Sequence, residues 1–120
     1  MLLKTTIPSF APWTTAPSID ALRLLYDASA GDWHNNLARL GQLHDYQLLF
    51  NSQAVRDRLR HFDPQSQILD CGIGTGAFSL ALLDSLDQST HVTGVDISSP
   101  MLTHAQQMLE NRCLTLDLRW

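Results

Sequence analysis

Residues 68–76 read Ile-Leu-Asp-Cys-Gly-Ile-Gly-Thr-Gly, and Gly-Val-Asp-Ile-Ser follows at 94–98, so Asp96 stands 20 positions after Gly76. An apolar run ends in an acid, a glycine-rich turn opens a helix, and a second apolar run ends in another acid. Strands joined through a helix in this way must lie parallel, because the crossover returns the chain to the same end of the sheet. The feature therefore commits the second half of the chain to a parallel α/β arrangement, with its turns gathered at the carboxyl ends of the strands.

The rest of that half continues the pattern. Gln67–Cys71 reads as a short buried strand and Ala77–Leu86 as a helix with Phe78, Leu82, Leu83 and Leu86 turned inward. His91–Val95 is a second strand. Ser99 is an N-cap followed by Pro100 in the first turn. That helix runs to about Arg112, with Met101, Leu102, Ala105, Met108 and Leu109 inward. Leu114, Leu116 and Leu118 then alternate with polar residues, as in a half-buried strand. The fold class expected is α/β, a Rossmann-like doubly wound parallel sheet of three strands. A helical segment precedes it. Ser18 caps a helix striped by Ala21, Leu22, Leu25 and Ala28 and ended by Gly31. A second helix spans about Asn35 to Phe50, with Leu37, Leu40, Tyr46 and Leu49 apolar and Gly41 a soft spot. A third runs from Ser52 to about His61 and is broken by Pro64. Three units follow: a loose arm at 1–17 rich in threonine and proline, which Phe10 and Trp13 would tack to the body; a helical cap at 18–63; and the α/β unit at 64–120.

Composition excludes several classes. Of the 120 residues 44% are hydrophobic, enough for a core. The net charge is −4 and no basic run occurs, which argues against nucleic acid as a partner. No apolar run approaches the roughly 20 residues that span a bilayer, and the N-terminus lacks a signal-peptide core. Cys71 and Cys113 have no metal or disulfide spacing and read as small core residues. The five histidines form no metal pattern. A cytoplasmic location is expected.

The loop is built to approach a ligand. Gly72, Gly74 and Gly76 permit positive φ and close contact, the helix beyond them presents free N–H groups, and Asp96 can accept both hydroxyls of a ribose. Gly72-x-Gly74-x-x-Ala77 also fits the nicotinamide-dinucleotide fingerprint. Asp70 separates the two cases, since a carboxylate two residues before the first glycine repels a pyrophosphate and favours a cationic group.

Ile-Leu-Asp-Cys-Gly-Ile-Gly-Thr-Gly, followed by Val-Thr-Gly-Val-Asp-Ile-Ser-Ser-Pro-Met-Leu, resembles motif I and the following acidic motif of the class I S-adenosylmethionine-dependent methyltransferases. The Asp-Ile-Ser-x-x-Met-Leu continuation is similar to their small-molecule branch. The resemblance covers about residues 66–112. A fainter one, Tyr26-Asp27-x-x-Ala30 with Trp33, is similar to the helical segment that lids the cofactor there. The resemblance implies S-adenosylmethionine as cofactor. Asp70 and the loop from Cys71 and Gly72 through Gly74 to Gly76 would hold its methionine part. Asp96 would hold the ribose, Ile97 and Met101 would flank the adenine, and Tyr26 and Trp33 would close the pocket. It names no catalytic residue, because methyl transfer needs chiefly alignment.

The family's sheet has seven strands, of which this chain supplies three. The expectation is thus the N-terminal portion of a methyltransferase, a truncated fragment that alone binds cofactor weakly and does not methylate. The acceptor is expected to be a small molecule. The competing readings are a non-catalytic fragment that self-associates through an open sheet edge and a nicotinamide-binding oxidoreductase domain.

Overall fold

The computed structural model describes residues 17–63, 65–86 and 88–120. Phe10 and Trp13 of the arm, and Pro64, lie outside them. Eight elements follow in order: helices α1 (Ile19–Arg39), α2 (Gln42–Asn51) and α3 (Gln53–Leu59), strand β1 (Gln67–Cys71), helix α4 (Ala77–Asp84), strand β2 (His91–Val95), helix α5 (Ser99–Leu109) and strand β3 (Thr115–Arg119). The three strands form one parallel sheet in the order β1-β2-β3. Asp70 pairs in register with Gly94, and Gly94 with Leu118. The Rossmann-like arrangement read from the sequence is the one observed.

The core lies between the sheet and the helices that cross between its strands. Ile73, Leu83, Val92, Leu102 and Leu109 are buried together, with Ile68, Leu80, Leu116 and Leu118 packed against them. Gly94 makes this packing possible, because a Cβ there would stand 2.5 Å from Ile73 Cδ1 and 2.9 Å from Leu118 Cδ2. Gly76 does the same between α4 and α5: its Cβ would meet Leu109 Cδ1 at 2.9 Å, and its φ of +83° is one that a side chain would strain. Arg112 forms an ion pair with Asp84, joining the turn after α5 to the end of α4.

Several details differ from the sequence reading. Gly31 does not end the first helix. The helix runs on to Arg39 because Tyr26, Ala30, Trp33 and Leu37 form one continuous inward face, with Ala30 and Leu37 buried. The chain turns instead at Gly41, whose φ is +78°. The expected apolar stripe of that helix faces the wrong way, with Leu25 57% exposed and Ala21 and Ala28 exposed as well. Leu40 and Leu49 of the second helical run are likewise exposed. Ser98, not Ser99, caps α5, accepting from the Met101 N–H. Strand β1 is not buried, because among the described residues it has a neighbour on one side only, and Leu69 is 64% exposed. Cys71 at its end is exposed rather than in the core, whereas Cys113 is half-buried beside the core cluster. Phe78 is not fully inward. It joins Tyr46 and Phe50 in an aromatic cluster at 5.2 and 5.1 Å. No described helix is long and apolar enough to cross a membrane.

Candidate functional site

The carboxyl ends of β1 and β2 open into a cavity of about 720 Å³ roofed by α1 and α2. The sheet brings Asp70 and Asp96 to this end from neighbouring strands. The loop between Cys71 and Ala77 folds back over β2, where the N–H groups of Gly72 and Ile73 both donate to the Val95 carbonyl, at 2.7 and 3.1 Å. Three left-handed glycines make that reversal: Gly72 at φ +80°, Gly74 at +55° and Gly76 at +83°. They are positions where an L side chain would be strained.

Both carboxylates are held. Asp96 Oδ2 accepts the Gly74 N–H at 2.8 Å, and its Oδ1 accepts the Ser98 N–H at 2.9 Å. One side chain thereby fixes the loop after β1 to the N-terminus of α5. Each carboxylate oxygen has a second lone pair, so the group keeps acceptor capacity toward the cavity. Asp70 Oδ2 accepts from the Ser79 hydroxyl at 2.6 Å. Ser79 is the third residue of α4, so Asp70 places its negative charge at the positive end of that helix. An anionic ligand group would meet a carboxylate where a helix N-terminus otherwise favours anions.

Of the residues singled out from the sequence, Tyr26, Trp33, Asp70, Gly72, Gly74, Asp96, Ile97 and Met101 all line this cavity. Cys71 and Gly76 are not on its wall. The exposed thiol of Cys71 stands at the end of β1, and Gly76 serves the contact between α4 and α5. Tyr26 and Trp33 meet edge to face at 5.8 Å, and the Trp33 Nε1 would lie 3.8 Å from a Cβ on Gly74. The cap helix thus reaches the glycine loop directly. Met101 is buried at the cavity floor, while Ile97 is 38% exposed.

The wall also contains residues that sequence reasoning missed. Leu37, Gln42, Tyr46 and Phe78 close the side formed by α1, α2 and α4, and Trp120 stands beyond β3. Tyr46 and Phe78 are separated by the whole of α3 and β1, and no local spacing relates them. Ser79 and Ser98 do carry a signal: each is a hydroxyl residue in the first turn, or at the cap, of a helix that follows a strand ending in an acid. Thr75 also lines the cavity, and its buried hydroxyl has no hydrogen-bond partner among the described residues. Among the described residues, the charged groups on the wall are the two aspartates, and no lysine, arginine or histidine lines it. Such a surface suits a ligand bearing hydroxyls and positive charge.

Comparison with known proteins agrees with this geometry. Residues 68–120 match a family described as a methyltransferase domain. Over 63 residues the chain is 35% identical to a carboxy-S-adenosyl-L-methionine synthase of Helicobacter pylori, a stretch covering 52% of this chain and 26% of that protein. The solved structure of a DhpI–SAH complex superposes with a TM-score of 0.55 at 20% identity, over 84% of this chain and 43% of that one, which shows the shared fold. The match thus spans about a quarter of the curated relative's length and less than half of the solved structure's.

Proposed function

We propose that the chain, whose residues 68–120 match a methyltransferase domain, is the cofactor-binding part of a class I S-adenosylmethionine-dependent methyltransferase, that its cavity holds S-adenosylmethionine, and that the complete enzyme transfers the methyl group to a small-molecule acceptor. The observation that carries this reading is the pairing of Asp70 and Asp96 on a wall to which the described residues contribute no basic side chain. S-adenosylmethionine offers an ammonium, a sulfonium and two ribose hydroxyls, and it lacks the phosphates that such a wall would repel. The same observation weighs against a nicotinamide dinucleotide.

The residues divide the ligand between them. Asp70, fixed by Ser79, takes the ammonium, and Gly72 and Gly74 let the backbone approach the methionine part. Asp96 accepts from the ribose hydroxyls with the lone pairs left free by Gly74 and Ser98. Ile97 and Met101 enclose the base, and Tyr26 and Trp33 cover the loop from α1. When bound, the cofactor supplies a methyl group on a cationic sulfur, open to displacement by an acceptor nucleophile. The protein's share is alignment and exclusion of water, which suffices for much of the rate in such a displacement. Of the wall residues not assigned to the cofactor, Gln42, Tyr46 and Phe78 are offered to the acceptor, and their mixed apolar and polar character fits a small organic molecule.

Titration calorimetry of the chain with S-adenosylhomocysteine tests the reading. Saturable one-to-one binding, with no heat from a nicotinamide dinucleotide, is expected. Absence of any binding at millimolar ligand would overturn it.

A second reading is favoured by β1, which among the described residues has one neighbour and leaves its outer N–H and C=O groups and Leu69 uncovered. Such an edge pairs readily with another strand. On this reading the chain acts as a non-catalytic cofactor-binding or interaction fragment that associates through β1. A monodisperse dimer on sizing, lost when a proline replaces Leu69, would support it.

A further inference from the structure

We propose that the groove between α2 and α4 receives the methyl acceptor, and that the acceptor carries an anionic group, a carboxylate or a phosphate ester, held at the far end of the groove by Arg56. The inference rests on the cofactor reading above and names the substrate class of the same site.

Two further cavities continue the cofactor cavity. One, of about 380 Å³, shares Ala77 with it. The other, of about 350 Å³, shares Asn51, Asp84 and Ser85 with that one. Their floor is a single stripe of α4, in which Ala77, Leu80, Ala81, Asp84 and the capping Ser85 recur at helical spacing. Leu43, Gln47 and Asn51 of α2 form the facing wall, again one stripe. Gln42 and Ala77, which begin the two helices, line the cofactor cavity, whereas Asn51 and Asp84, which end them, line the last one. The groove thus runs about 12 Å along α4, from Ala77 to Ser85. Between its ends stands His34 of α1, whose Nδ1 is buried without a hydrogen-bond partner among the described residues. Such an atom costs free energy until something bonds it, so a hydroxyl or amide of a ligand in the groove is favoured there.

Charge gives the groove a direction. At the far end the charged lining residues, among those described, are Arg56, Arg60 and Asp84. Asp84 is paired with Arg112, and Arg60 with Asp57, so these charges offset one another. Arg56 instead donates to the side-chain carbonyl of Asn51 at 2.9 Å, a neutral partner that leaves its charge uncompensated. The cofactor end carries Asp70 and Asp96. An anionic group is therefore repelled from the cofactor end and drawn to Arg56, whose guanidinium fork suits carboxylate and phosphate oxygens alike. An anionic acceptor lies in the groove one way round, with its negative group at Arg56 and its nucleophilic end at Ala77, beside Gln42, Tyr46 and Phe78.

The test uses the full chain and three probes of similar length: phenylhexanoate, phenylhexyl phosphate and the neutral phenylhexanol. Titration followed by nuclear magnetic resonance should show saturable binding of both anions, with shifts at His34, Gln47 and Asn51. The alcohol should bind about fivefold more weakly. Arg56→Gln should weaken the anions by about the same factor and leave the alcohol unaltered. Ala81→Leu, which fills the groove at its middle, should weaken all three, while S-adenosylhomocysteine binds both variants as before. With methyl-labelled S-adenosylmethionine bound, the methyl protons should show a nuclear Overhauser contact with the phenyl end of the probe and none with the anionic end. The tighter of the two anions tells carboxylate from phosphate. Equal affinity for alcohol and anions, or a phenyl end remote from the labelled methyl, would overturn the proposal, as would binding of S-adenosylmethionine without binding of any probe. If S-adenosylmethionine itself does not bind, the cofactor reading fails and takes this proposal with it.

Discussion

Asp96 accepts the backbone N–H of Gly74 at 2.8 Å across 22 positions of sequence, so the acid that closes the second strand also sets the shape of the loop after the first. The group proposed to bind the ribose and the scaffold of the glycine loop are then one side chain. Its removal should be felt in both. Asp96→Ala leaves the Gly74 and Ser98 N–H groups without their partner and should lower stability by roughly 2–4 kcal/mol, with loss of S-adenosylhomocysteine binding. Asp96→Asn keeps one acceptor oxygen and should lose about half that stability, while still binding at least tenfold more weakly. Thermal melts and calorimetry measure the two effects, and an Asp96→Asn chain with unaltered affinity would remove Asp96 from the ribose site.

The charge on Asp70 should set the preference for a cationic ligand. Asp70→Asn is expected to weaken S-adenosylmethionine about tenfold and to leave adenosine, which has no ammonium, unaffected. Ser79→Ala, which frees the carboxylate from its 2.6 Å hydrogen bond, should act in the same direction with a smaller effect. Competition binding against adenosine reads the difference. Equal losses for the two ligands would assign Asp70 a purely structural part.

Two glycines should respond to alanine with opposite signs. At Gly76 a Cβ meets Leu109 at 2.9 Å and the backbone is left-handed, so Gly76→Ala should destabilise by about 1–3 kcal/mol. At Gly31 nothing lies within 4 Å and the residue is within α1, so Gly31→Ala should stabilise by about 0.5–1 kcal/mol. Urea unfolding of the two variants separates them, and matching signs would contradict the packing described here.

The cysteines should differ in reactivity. Cys71 is exposed, and burial pushes the Cys113 thiol up, while its S–H faces the Leu109 carbonyl at 3.3 Å. A raised thiol pKa means less thiolate at any given pH, so Cys113 should alkylate only as pH rises above the range that suffices for a free thiol. Because the fold holds that proton more tightly than the unfolded chain does, this contribution to stability is complete below the ordinary thiol pKa. It is lost as pH rises through the raised value. Mass spectrometry after brief iodoacetamide treatment at neutral pH should find one label, on Cys71. A label on Cys113 at a similar rate would place it nearer the surface.

The strands and the loop between them were legible because their signals are local. The run at 68–76 and the acid at 96 fix a parallel unit whatever packs around it, and the strand bounds 67–71 and 91–95 follow from composition alone. Gly31 misled because a helix terminus is read from propensity, whereas a single glycine costs only about 1 kcal/mol against Ala. The inward face of Tyr26, Ala30, Trp33 and Leu37 outweighs that cost. The outward turn of Leu24 and Leu25 was hidden for the same reason: α1 carries apolar residues on two faces, and only the tertiary partner decides which is covered. Tyr46, Phe78 and Trp120 reach the cavity from α2, α4 and the residue after β3, a juxtaposition that exists only after folding.

The register of β1 against β2 has a metric consequence. Asp70 lies opposite Gly94, so Asp96 is offset from it by two residues along the strand direction, on the order of 7 Å, and by one strand spacing of about 5 Å across the sheet. The pair acts as a gauge of fixed length, cut by backbone hydrogen bonds rather than by side-chain rotamers. On the proposed reading, a ligand would be measured by the separation of its positive group from its vicinal hydroxyls. A slip of one residue would swing one acid to the other side of the sheet and abolish the measurement altogether.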